Sequence, residues 1–255
     1  MNSRLKYNVL LLILLQCLFS SCTKIILNSL GAFEKSMPLK YITNGEKKIA
    51  FFPIHHLGTR EFYEDTKNKI DSFMKEGYEV YYEAVLLGPV RDSLQKDTIY
   101  RKARKITGVD LLTARANAGY IDTVNNTILG SKTKLISKYN LINQPRNLVP
   151  KSDTVRAKHV DATFVQLINA CENKFGPIVL EKYDFETKFG EKYKFKRSKE
   201  INEYFLYVFR NRLIADSILN DPEKKIIIVF GALHFKGLLE NLQAVDKNYK
   251  QVEKL

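Results

Sequence analysis

The segment "KKIIIVFGALHFKG", residues 224–237, constrains the fold more than any other stretch. Ile226 to Phe230 are apolar without alternation. A strand of that kind is buried on both faces, as strands of a parallel sheet are. It ends in Gly231, and His234 follows three residues later. A second segment, "KKIAFFPIHHLG" at 47–58, repeats the pattern. Its apolar run stops at His55 and His56, two of only four histidines in the chain. A third, "YEVYYEAV" at 78–85, is rich in tyrosine and valine and reads as a strand closed by Glu83.

Between the first two strands in chain order lies a helix. Thr59 can cap it, and Phe62, Tyr63, Thr66, Ile70, Phe73 and Met74 recur at helical spacing before Gly77 stops it. Strand, helix, strand with short connections is the pattern of a parallel βαβ unit. The expected class is α/β, an open and mostly parallel sheet with helices on both faces, in a single domain. Further helices are expected at 91–106, 109–118, 161–174 and 198–219. "TKLISKYNLI" fits a strand or a short helix, and "KYDFETKFGEKYKFKRSK" a surface loop or hairpin. "KQVE" near the C-terminus fits an edge strand.

The N-terminal residues read differently. Arg4 and Lys6 precede an apolar run, Val9 to Leu15, too short to span a bilayer, and small residues then precede Cys22 in "LFSSC". This is the pattern of a lipoprotein signal over residues 1–21, with Cys22 lipidated. Residues 22–45 are expected as a tether and 46–255 as the α/β domain. Thr23 after the cysteine points to the outer membrane, facing the periplasm or the cell surface. Without Cys17 and Cys22, the lone remaining thiol is Cys171, so no disulfide framework is possible, and Cys171 reads as a small core residue. Removing Arg4 and Lys6 leaves 39 basic against 28 acidic side chains, about +11. Such a surface attracts anionic lipid, adding to the anchor. Nucleic acid is excluded as a partner by the export signal and by the scatter of the charge. "NNT" at 125–127 reads as a polar turn.

In open α/β sheets, ligands bind beyond the carboxyl ends of the strands. His56, Glu83 and His234 all fall at such ends. Two imidazoles and a carboxylate can bind a divalent metal, or act as base, acid and orienting partner without one. On the helix at 198–219, a spacing of 100° per residue places Ile201, Phe205, Val208, Ala215 and Leu219 on one stripe. Arg212 and Asp216 fall beside that stripe and Arg210 on the far side, so geometry favours Arg212 as a site residue.

The segments "IHHLGTREFY", "GYEVYYEAV" and "RNRLIADSIL…KIIIVFGALHFKGLLENL" resemble the TraB/PrgY/GumN-type superfamily, whose wider circle includes erythromycin esterases, haem-binding ChaN lipoproteins and Tiki proteases. The resemblance covers residues 48–86 and 204–243. It implies roles for His56, Glu83, Arg210, Asn211 and His234, and for Asp161 at a helix start in "HVDATFVQL". Pro53 stands where the family has glycine, and His56 is preferred to His55 because it keeps the offset to "LGTREFY". His159 is left outside the site. Two functions are implied. One is hydrolysis of an ester or peptide bond in a small-molecule or peptide substrate by the His56/Glu83/His234 site, with or without a divalent metal, an arginine stabilising the developing anion. The other is non-enzymatic binding of haem or a metal by the same histidines. No G-x-S-x-G elbow is present, which argues against a serine nucleophile.

Overall fold

The computed structural model describes residues 24–116, 119–122, 124–128, 131–149, 157–194 and 198–255. The expected signal segment, with Cys17 and Cys22, lies outside the described residues. The main sheet has six strands: β1 (Lys40–Thr43), β2 (Lys48–Ile54), β3 (Glu79–Tyr82), β4 (Ala157–His159), β5 (Lys225–Gly231) and β6 (Lys250–Val252). Their spatial order is β6-β1-β2-β5-β3-β4. The pairs β2–β5, β5–β3 and β3–β4 are parallel, and β1 is antiparallel to both its neighbours. The fold is thus α/β with a mostly parallel sheet. "KQVE" does supply the edge strand.

The strand-helix-strand unit at the N-terminal side has an addition that its sequence does not announce. Strands β2 and β3 are parallel but not neighbours, because β5 inserts between them. Burial explains the choice. Ile226, Ile227, Ile228 and Phe230 are fully buried, as the unbroken apolar run requires. The central position is the one where both strand faces are covered. In register, Ile54 stands opposite Gly231, so the two histidine-bearing ends are side by side.

Alternate residues of these strands enter two separate apolar clusters. Ile49, Phe51, Ile226, Ile228 and Phe230 pack with Ile214 and Ile218 of the helix Phe209–Asn220 and with Leu238 and Leu242 of the helix His234–Val245. Ala50, Phe52, Ile54, Val80, Ile227 and Val229 pack with Phe62 and Ile70 of helix α1 (Arg60–Lys75). Thr59 caps α1 as expected, its hydroxyl accepting from the Phe62 N–H at 3.2 Å.

The expected helices in the middle form at Ser93–Thr107, Leu111–Ala116 and Phe164–Phe175, here α2, α3 and α4. "TKLISKYNLI" does both things offered to it, a short helix Leu135–Tyr139 and then a strand Leu141–Asn143. "NNT" lies at a turn, with Asn126 at φ 52°. Cys171 is free and fully buried in α4, its thiol pKa pushed up to about 11 by burial and by Glu172. The "KYDFETKFGEKYKFKRSK" stretch carries a short helix, Lys182–Glu186, whose last carbonyls accept from Arg101 and Arg104.

Two expectations are corrected. Residues 24–45 are not a tether. Residues 24–29 are helical, Leu27, Ala32, Met37 and Ile42 are buried, and Lys40–Thr43 is β1 of the sheet. Second, the late helix is not one regular rod. A five-residue π-helical segment, Tyr204–Val208, joins Lys199–Glu203 to Phe209–Asn220, the latter here α5. A π turn takes in an extra residue and so rotates everything after it relative to a regular helix. The α-helical wheel therefore fails beyond it. Val208 is 46% exposed, while Arg210 and Asn211 are buried.

Helix α6 (His234–Val245) packs against α5 at Gly237. A methyl group there would overlap the Asn211 side-chain nitrogen. On helix propensity alone, Gly237→Ala would gain about 1 kcal/mol. Here it is expected to lose stability instead, because α6 must move off α5. Urea denaturation of the variant reads the sign directly.

Candidate functional site

The site forms where β2, β5 and β3 end. Glu83 lies one residue beyond β3, and its backbone N–H donates to the Val229 carbonyl at 3.0 Å, which holds the turn on β5. Its carboxylate is used at both oxygens. Oε2 accepts from the Gly231 N–H at 2.6 Å, and Oε1 from Arg210 Nη2 at 2.6 Å. A Cβ at Gly231 would stand at ordinary contact distance, 3.4 Å, from Oε2.

Arg210 is the hub. Nε and Nη2 donate to the two oxygens of Asp161 at 2.8 and 2.7 Å, a bidentate pair, while Nη1 donates to the Leu206 carbonyl at 3.2 Å. The Asp161 side chain is fully buried, and its Oδ1 also accepts from the Ala162 N–H at 2.7 Å. One buried cation thus joins two carboxylates, from β3's end and from the loop before α4. Burial lowers the Arg210 pKa, but Glu83 and Asp161 outweigh it and raise it. Burial likewise opposes ionisation of Glu83, yet Arg210, His56 and His234 hold its pKa down at about 2.

His234 is 2% exposed. Its Nδ1 lies 2.7 Å from Asn211 Oδ1, an acceptor, so Nδ1 carries the proton and Nε2 presents its lone pair. Burial first, then Arg210, pushes the His234 pKa down to about 4, against the pull of Glu83. The imidazole is neutral at pH 7. Tyr207 and Phe230 flank it edge-on, with centroids 5.4 and 5.6 Å away.

His56 is exposed at the mouth, its ring 5.5 Å from that of Tyr120. It is close enough to act electrostatically on both Glu83 and His234. His55 turns away, packing on Phe62 and lying 3.4 Å from Glu34 Oε2. His159 is 2.5 Å from the Ala84 carbonyl through Nε2 and stays outside the site.

The structure therefore brings together His56, Glu83, Arg210, Asn211 and His234, with Asp161 behind them. It does not bring in Arg212, which stands on the exposed face of α5. The reason is the π segment, which turns Arg210 inward and Arg212 outward. Two residues of the site carry no signal in the sequence, Tyr207 and Tyr120. Tyr207 lies in the π segment, and Tyr120 lies in a stretch without periodicity. Burial and then Glu83 raise the Tyr120 pKa, so its hydroxyl stays protonated.

Among the described residues, no group of three or more His, Cys, Asp or Glu side chains is disposed to hold a metal ion. Glu83 shows why, since both its oxygens are engaged and a guanidinium stands beside it. No family, no curated protein and no solved structure matches the chain.

Two outcomes are expected. Arg210→Met leaves Asp161 and Glu83 as uncompensated buried charges, so it is expected to cost about 3–5 kcal/mol in chemical denaturation. Acid also destabilises the site. The ordinary pKa values are 6.5 for His and 4.5 for Glu, while the folded groups refuse protons until about 4 and about 2. Both pKa values are depressed, so stability is full above 6.5 and lost as pH falls through these windows. The His234 share is on the order of 3 kcal/mol. Denaturation curves of His234→Gln are expected to be flat between pH 6.5 and 4.5, where the parent declines.

Proposed function

We propose that the chain is a hydrolase of the TraB/PrgY/GumN type, a single α/β domain with helices over both faces of its sheet, carried on a lipid-anchored protein of the outer membrane. The observation that carries the reading is His234, a buried imidazole kept neutral, with Nδ1–H held by Asn211 and Nε2 bare. An unprotonated imidazole is the form that can accept a proton.

In this reading His234 Nε2 takes a proton from water as the water attacks an ester or peptide carbonyl. Glu83, pinned by Gly231 and Arg210, stays anionic and stabilises the imidazolium that forms. The Tyr120 hydroxyl, protonated and beside Glu83, is the donor for the developing oxyanion. The His234 imidazolium then gives this proton to the leaving group as the bond from the carbonyl carbon breaks, and exposed His56 stands beside the site. Arg210 positions Glu83 and does not touch substrate, because it is buried and four of its five N–H donors go to Asp161, Glu83 and Leu206. No step passes through a metal or haem.

The test is turnover of chromogenic esters and internally quenched peptides. Activity is expected to survive exhaustive chelation and to fall only as pH drops through about 4, the His234 value. His234→Ala is expected to lose roughly 100-fold or more, the usual worth of a positioned base. Equal rates in His234→Ala and parent would overturn the assignment.

A further inference from the structure

The N-terminal helical residues leave an apolar face uncovered. Leu27 is buried among Ala32, Ile121, Ile128, Ile136 and Leu141, which fixes the segment to the fold. Ile25, Ile26 and Leu30 are exposed instead, at 66%, 57% and 52%. Ile26 and Leu30 are four residues apart and share one helical face. Lysines border it. Lys24 and Lys138 both lie over the Tyr139 ring, 5.9 and 5.4 Å from its centroid, and Lys134 is exposed one turn before Lys138.

We infer that Ile25, Ile26 and Leu30, with Lys24, Lys134 and Lys138, form a docking face for an anionic phospholipid surface. The inference rests on the proposed anchoring through Cys22. Cys22 precedes Ile25 by three residues, and an extended chain covers at most about 10 Å in that distance. An anchored chain therefore holds this face at the bilayer whatever path the intervening residues take. Aliphatic side chains bordered by lysines are what a headgroup boundary accepts.

The docking also orients the site. Gly31 lies against His55, with its Cβ position 2.5 Å from His55 Nε2, and the Thr59 hydroxyl donates to the Glu34 carbonyl at 2.6 Å. Both contacts are made where β2 ends, on the rim that carries His56. The rim of the sheet that carries His56 is thereby the one tied to the docking segment. The opposite rim carries Val245, 69% exposed at the end of α6, beside the turn where Asn44 donates to Asp246.

The chain contains no tryptophan, so an introduced one is a clean reporter. The full chain would be placed in phosphatidylglycerol vesicles carrying brominated acyl chains, with flotation reporting anchoring. Ile26→Trp and Leu30→Trp are both expected to lose emission to the bromines, and Val245→Trp is expected to keep it. Quenching is expected to weaken when phosphatidylcholine replaces phosphatidylglycerol. Chain that floats while the Ile26→Trp and Leu30→Trp variants both stay bright would overturn the docking and leave the anchor standing. Chain that fails to float overturns both. Equal quenching in Val245→Trp overturns the orientation, and equal quenching in phosphatidylcholine overturns the choice of an anionic surface.

Discussion

The buried Arg210 guanidinium is the link on which the site depends. It ties the carboxylate at the end of β3 to that at the start of α4, and it does so from a third element, α5. An ion pair taken out of water repays its desolvation only with good geometry and full hydrogen bonding. Here both conditions hold. The pair with Asp161 is bidentate, and the carboxylate oxygens also accept from the backbone N–H groups of Ala162 and Gly231. With two acids to one cation, the cluster keeps a negative charge, and the two histidines stand where that charge is felt.

Two opposed fields act on His234. Glu83 favours its protonated form, while burial and Arg210 disfavour it, and the second set prevails. The balance matters chemically. A histidine protonated at neutral pH cannot accept a proton, whereas this one can, and the nearby carboxylate then stabilises the product of that transfer. Asn211 adds the orientation, and Gly237 adds the space that lets Asn211 lie where it does. The same late helix thus supplies both controls from adjacent positions.

Much of this is legible in the sequence, and for physical reasons. Strands β2 and β5 announce themselves because burial on both faces demands unbroken apolar runs, and polar residues just beyond such runs mark the rim. His56, Glu83 and His234 are found in that way. The helix is harder. A wheel of 100° per residue assumes regular α geometry, and the π segment at Tyr204–Val208 breaks that assumption, so the wheel selects Arg212 where the fold uses Arg210. The residues between 24 and 45 read as a tether because their buried side chains, Leu27, Ala32, Met37 and Ile42, follow no period. Tyr120 leaves no trace, since its position is set by tertiary contacts rather than by a local pattern.

The central claim is that His234 is neutral, with its proton on Nδ1. Nitrogen-15 NMR of histidine-labelled protein tests it most directly, with His234→Gln assigning the signal among four imidazoles. The account predicts an Nδ1–H tautomer that persists on acidification until about pH 4. An Nε2–H tautomer, or a titration near the ordinary histidine value of 6.5, would contradict it.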